Sequence, residues 1–136
     1  MPAVLLDTCA MIFIADGRPL APSARREIRA AIIADGVFVS PVSAWEIGLL
    51  SARRRFPFRP DPKSWFQLFL AYPGVRLTPL TPEIAIESSF LPPPVHSDPA
   101  DRLLVATARA LGVPIVTRDR RILNYAKAGF VDAVPC

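Results

Sequence analysis

Five acids stand where their neighbours give them more than a surface role: Asp7 in "LLDTCA", Glu46 in "SAWEIGLL", Asp98 and Asp101 in "DPAD", and Asp119 in "VTRDRR". Carboxylates in such places serve either as helix caps or as ligands for a hard cation. Asp98 followed by Pro99 reads as a helix start, with Asp at the N-cap, Pro at the first helical position and Asp101 at the third, as in a capping box. At about 100° per residue, Asp101 falls between Val105 and Ala108, inside the stripe also formed by Leu104 and Leu111. Asp98 instead projects toward Arg102 and Arg109, the polar side. Asp98 is therefore read mainly as a cap and Asp101 as a ligand.

Glu46 fits a capping-box position behind Ser40 or Ser43, yet the wheel puts it between Val42 and Leu50, with Trp45 and Leu49 on the same side. Burying an unpaired carboxylate costs on the order of several kcal/mol, so Glu46 calls for a cation or a proton. Asp7, with Thr8 sharing the role, can cap a following "AMIFIADG" helix. Asp119 can cap a short helical turn or pair with Arg118, Arg120 or Arg121. His96, the one histidine, reads as a loop residue beside Pro94. Taken together, Asp7, Glu46, Asp101 and Asp119 describe a carboxylate cluster. Like charges that close cannot all stay ionised unless something positive lies among them. No lysine or histidine is placed to do this, and an all-oxygen ligand set favours Mg²⁺ or Mn²⁺ over zinc, as one ion or two.

The elements that must position these acids alternate. "AVLL" and "VFVS" are short buried strands, the second opened by the turn pair Asp35-Gly36. Between them "APSARREIRAAIIADG" has Ile28, Ile32 and Ile33 at helical spacing and stops at Gly36, which makes a βαβ unit. A helix from about Pro41, a Pro-rich connection, an aromatic helix "KSWFQLFLAY", the short "VRLTPL" and a helix begun by Thr81-Pro82-Glu83 follow. Then come a helix over Pro99 to Leu111 closed by Gly112, the strand "PIVT", and "FVDAVP" as an edge strand. Strands alternating with helices imply a mostly parallel sheet covered on both faces, with its working site at the carboxyl ends of the strands. Asp7 and Asp119 both fall at that edge.

With 136 residues, 51% of them hydrophobic, the chain is one domain's worth with enough apolar side chains for a core. No apolar run approaches the roughly 20 residues needed to cross a bilayer. The N-terminus lacks a basic leader and is interrupted by Asp7, so no cleaved signal is expected and the cytoplasm is the expected address. Cys9 and Cys136 match no metal motif or disulfide framework and read as reduced thiols. Sixteen Lys plus Arg against 12 acids give a net charge of +4 and a pI near 9.7. If several acids share one pocket, the rest of the surface is a basic rim. Its densest stretch is "RRRFPFRPDPK", Arg53 to Lys63, where interleaved Phe56 and Phe58 give it the look of a nucleic-acid contact. The plainer reading is a solvated helix end and a Pro-rich loop.

"LLDTCA", "SPVSAWEIGLL" and "DPADRLLVATARALGVPIVTRD", in that order and spacing, resemble the PIN-domain family, and within it the VapC toxins of bacterial VapBC toxin-antitoxin systems. The likeness runs over residues 1–136 as a single PIN-like domain, a three-layer α/β/α fold around a central, mostly parallel sheet. It implies that Asp7, Glu46, Asp101 and Asp119 form the family's acidic quartet, both catalytic and metal-binding, with Thr117 as the usual supporting hydroxyl beside Thr8. Cys9 departs from the family, which often has Ser or Asn there.

The resemblance also implies a Mg²⁺- or Mn²⁺-dependent endoribonuclease that leaves a 5′-phosphate and a 3′-hydroxyl. A mechanism with paired imidazoles has only His96 to draw on. Arg102, Arg118 and Arg120, next to the proposed ligands, are candidates to hold flanking phosphates. A VapB-like antitoxin and a second copy of the chain are the implied partners. "SWFQLFLAY" could line the antitoxin's groove, although helical spacing of Trp65, Phe66, Phe69 and Leu70 favours core. The rivals are a housekeeping PIN nuclease, a non-catalytic RNA-binding module, and a phospho-receiver domain, for which the needed Asp and late Lys are not evident.

Overall fold

The computed structural model describes residues 2–94 and 97–136, which leaves His96 outside the described residues. Five strands form one sheet in the order β3-β2-β1-β4-β5, and every pairing is parallel. They are β1 (Val4–Leu6), β2 (Val37–Val39), β3 (Val75–Leu77), β4 (Ile115–Thr117) and β5 (Ala133–Pro135). The helices are α1 (Thr8–Ala15), α2 (Pro22–Ile33), α3 (Pro41–Ala52), α4 (Pro62–Leu70), α5 (Pro82–Glu87), α6 (Pro99–Leu111) and α7 (Arg120–Lys127). The result is the expected three-layer α/β/α fold, with the parallel sheet between two helical layers.

Strand sequences are short, apolar and rich in Val, Leu and Ile because both faces are covered. Alternation assigns the sides. Val4 and Leu6 pack with Met11, Ile28, Ala31 and Val116 in one cluster, whereas Leu5 and Ile115 pack with Leu104, Val105, Ile122 and Tyr125 in the other. Each fully buried Leu or Ile of this kind contributes about 1.5–3 kcal/mol.

Differences from the sequence reading are local. Two helices join β1 to β2: α1, offered by the sequence only as a stretch that Asp7 could cap, begins directly after Asp7. Gly36 does not supply the left-handed turn: Asp35 has φ +53°, and Gly36 is small because a Cβ there would meet the main chain of Pro2. α7 is a helix of eight residues where the sequence offered a short helical turn capped by Asp119. Gly112 closes α6 at φ +66°, as expected. Phe58 is buried and Phe56 packs against the same core, so the rings between the arginines are structural and do not stack on bases. In α4, Phe69 is buried, while Leu68 and Tyr72, just past its end, are more than half exposed.

Candidate active site

The order of the sheet reverses at β1, which pairs with β2 on one side and β4 on the other. Such a switch opens a crevice at the carboxyl ends of the strands. Asp7 stands at its lip. Its main-chain N–H bonds the Val116 carbonyl of β4 at 3.1 Å, and its extended backbone makes it the N-cap of α1. The side chain, only 6% exposed, accepts from the Ala10 N–H at 2.7 Å. Asp119 repeats the device after β4, its Oδ1 accepting from the N–H groups of Arg121 at 2.8 Å and Ile122 at 3.2 Å at the start of α7.

Thr117 joins the two. Its fully buried hydroxyl accepts from the Asp119 N–H at 3.0 Å and donates to the Asp7 carboxylate. On the other side Thr8 Oγ1 lies 2.6 Å from Glu46 Oε1 and 3.0 Å from Ser43 Oγ. Ser40 is the N-cap of α3, accepting from Val42 N–H at 3.0 Å. Glu46 is therefore the sixth residue of the helix, too far along for the capping-box position, and Thr8 orients it instead. Trp45 is 51% exposed, so Glu46 lies half-buried at a border and not amid a buried face. Asp98 caps α6, accepting from the Asp101 N–H at 3.1 Å; Asp98 is exposed and Asp101 half-buried.

Electrostatics register the convergence. Loss of hydration raises the pKa of Asp7 above the ordinary aspartate value, and Asp119 adds to it against the lowering bonds from Thr117 and Ala10. Glu46 is raised by loss of hydration, with Asp98 and Asp7 adding and Thr8 opposing. Asp101 is pushed up to about 7, by loss of hydration first and then by Asp98, Asp119, Glu46 and Asp7. Cys9, whose outer edge stays exposed, has its thiol pushed up to about 11 by lost hydration and then by Asp7, Glu46 and Asp101. The Cys136 thiol is also raised, by lost hydration and then by Asp7. Acids from four segments thus act on one another across a single crevice.

Oxygen donors that repel one another fit a hard divalent ion. Among the described residues no three acidic, cysteine or histidine side chains form a ready-made cage. The donors that face the crevice are carboxylate and hydroxyl oxygens, which suit magnesium or manganese better than zinc. Capping does not use up a carboxylate, because each has two oxygens. The sequence weighed cap against ligand for Asp7 and Asp119 as alternatives; the geometry permits both.

Two of the three candidate phosphate-binding arginines are engaged by main-chain oxygens. Arg102 donates to the carbonyls of Ser88 at 2.9 Å and Ser89 at 3.2 Å. Arg118 donates to Cys136 O at 2.9 Å and Pro19 O at 3.3 Å, and lies 4.2 Å from the Phe13 ring centroid. Arg120 is exposed at the first turn of α7. Sequence reasoning gave Ser43 only a possible capping role and read Cys136 only as a reduced thiol. Ser43 was legible as a small polar residue one turn before Glu46; Cys136 was not, because only sheet pairing carries β5 beside β4.

A family model, the PIN domain, matches residues 4–128. The chain belongs to the PIN-domain family. This PIN domain is 33% identical over 126 residues to Ribonuclease VapC22 of Mycobacterium tuberculosis, covering 92% of the chain and 93% of that protein. Solved structures share the fold. One is VapBC2 from Rickettsia felis bound to a DNA fragment from their promoter, at a TM-score of 0.71 and 12% identity, covering 98% of each chain. Another is DNA-bound VapBC from Salmonella typhimurium, at 0.66 and 14%, covering 99% of this PIN domain and 98% of that chain.

Proposed function

We propose that this PIN domain is a Mg²⁺- or Mn²⁺-dependent endoribonuclease acting as the toxin of a VapBC-type pair. The observation that carries the reading is the repulsive acid cluster at the switch of the sheet, with Asp101 pushed up to about 7 by lost hydration and then by four other carboxylates. Likeness to Ribonuclease VapC22 supports RNA as the substrate. Asp7, Glu46, Asp101 and Asp119 would hold the ion. When bound, it supplies an activated water and neutralises charge on the scissile phosphate.

The chain's own residues do the rest. Thr117 holds Asp7 and Asp119 in register, Thr8 orients Glu46, and Arg120, exposed in the first turn of α7, would meet a flanking phosphate. Cys9, protonated at neutral pH, lines the mouth without contributing charge. An apolar groove of about 440 Å³ lined by Ile14, Ile28, Ile32, Phe69 and Tyr72 offers a seat for a VapB-like antitoxin. Exposed Ile86 and Phe90 are available to a second copy of the chain. No described helix is long and apolar enough to cross a membrane.

The test compares RNA cleavage by the wild type and Asp7→Asn with manganese present. The expected loss is at least about a hundred-fold, since even an outer-shell partner of a metal costs 10–100-fold. Equal rates, or cleavage that persists in excess chelator, would overturn the reading. For the toxin role, expression of the wild type should arrest growth and expression of Asp7→Asn should not.

A further inference from the structure

The segment joining α3 to α4 carries a charge that the site does not explain and the fold explains only in part. Arg53, Arg54, Arg55, Arg59 and Lys63 are all exposed, and the one acid among them, Asp61, has its carboxylate engaged by Ser64 N and Oγ, both at 2.9 Å. Five cations against one acid give +4, the entire formal charge of the chain; elsewhere eleven cations face eleven acids. None of the five makes an ion pair among the described residues.

Cations at a helix C-terminus are favoured by the helix dipole, which accounts for Arg53 and its neighbours at the end of α3. It does not account for Lys63, in the first turn of α4, where the dipole opposes a positive charge. Arg54 is a second exception. It sits at φ +53°, just past the helix, where glycine is the favoured residue. Its backbone is fixed by Arg54 N–H to Ser51 O at 3.0 Å and Arg55 N–H to Leu50 O at 2.8 Å. Beneath, ring contacts run from Phe56 to Phe58 at 4.8 Å and from Phe58 to Trp65 at 5.1 Å, pinning the arm to α4. The arginine stems are thereby presented from a fixed base. Helix α3 also carries Glu46, and seven residues of helix place Arg53 about 10 Å further along it.

We propose that this arm is a phosphate-binding track that holds single-stranded RNA as it runs from the acidic site along α3. This rests on the ribonuclease reading of that site. Because the rings face inward, the track contacts phosphates and not bases, so it binds without sequence preference.

The experiment measures anisotropy of a labelled single-stranded oligoribonucleotide of about 20 nucleotides, without divalent metal, over a series of KCl concentrations. The arm variant is Arg53→Gln, Arg54→Gly and Arg55→Gln together; glycine suits the backbone at 54, so the fold is kept. The charge-matched control removes Arg25, Arg26 and Arg29 from the exposed side of α2 as glutamines. We expect at least tenfold weaker binding for the arm variant. The slope of log Kd against log salt should be smaller by about 2, at about 0.7 for each phosphate no longer neutralised. KM for the same RNA should rise with kcat unchanged, and the control should behave as wild type.

A wild-type slope in the arm variant, or an equal loss in the control, overturns the track. So does RNA binding by the arm variant as tight as that of the wild type. If the wild type fails to cut RNA, the ribonuclease reading falls, while anisotropy still tests the track by itself.

Discussion

Replacing Asp101 with Asn should make the metal-free protein more stable at neutral pH. Asp101 rises from the 3.8 of an ordinary aspartate to about 7, so between those values the folded state binds a proton that the unfolded chain has released. Stability therefore falls as pH climbs through that window, and the penalty is complete above about 7. The span corresponds to about 4 kcal/mol at 1.36 kcal/mol per pH unit. Asp101 is only half-buried, and screening by water reduces the figure to about 1–2 kcal/mol. Asn keeps the shape and the main-chain N–H that bonds Asp98, but it cannot ionise.

In chelator at pH 8, urea or thermal unfolding should find Asp101→Asn more stable by that amount, about 5 °C in Tm, with the gain vanishing near pH 4. Magnesium at a hundred times its Kd should stabilise the wild type by about 2.7 kcal/mol and the variant by much less. An Asn variant no more stable than wild type at pH 8, or one with the same gain at pH 4, would refute the argument from repulsion.

Thr117→Val removes a buried hydroxyl that serves Asp7 and Asp119 at once. It should cost about 1–3 kcal/mol by urea unfolding, because the partly buried Asp119 N–H loses its partner. It should also raise the Asp7 pKa further and move the acid limb of the cleavage profile to higher pH. Arg102→Ala, which releases the carbonyls of Ser88 and Ser89, should lower stability by about 1–2 kcal/mol and leave KM for RNA unchanged.

Alternation of short apolar runs with amphipathic helices made the layered fold legible, and Asp-Pro pairs and glycines marked helix ends. Helix α1 was legible only through the cap at Asp7, because "TCAMIFIA" is apolar on every side and has no stripe to read. Helix α7 was obscured by shortness. In the site, Asp7 and Asp119 could be placed from strand order alone, because a residue that follows a parallel strand must lie at one edge. Glu46 was chosen as an acid amid an apolar face, but Trp45 on that face is about half exposed, and the contact with Thr8 could not be read from the wheel. Hydroxyl partners 35 or more residues apart, such as Thr8 with Ser43, leave no periodic trace.

β4 lies between β1 and β5, and the threonine that ties Asp7 to Asp119 ends that strand. Asp7 precedes Thr117 and Asp119 by more than a hundred residues, so during synthesis it waits for β4 before these two neighbours arrive. A nascent polypeptide, or a fragment clipped before residue 115, has the first acid without the fourth. On the nuclease reading, such a piece is harmless to the cell that makes it, and danger begins only when the sheet closes around its late-arriving strand.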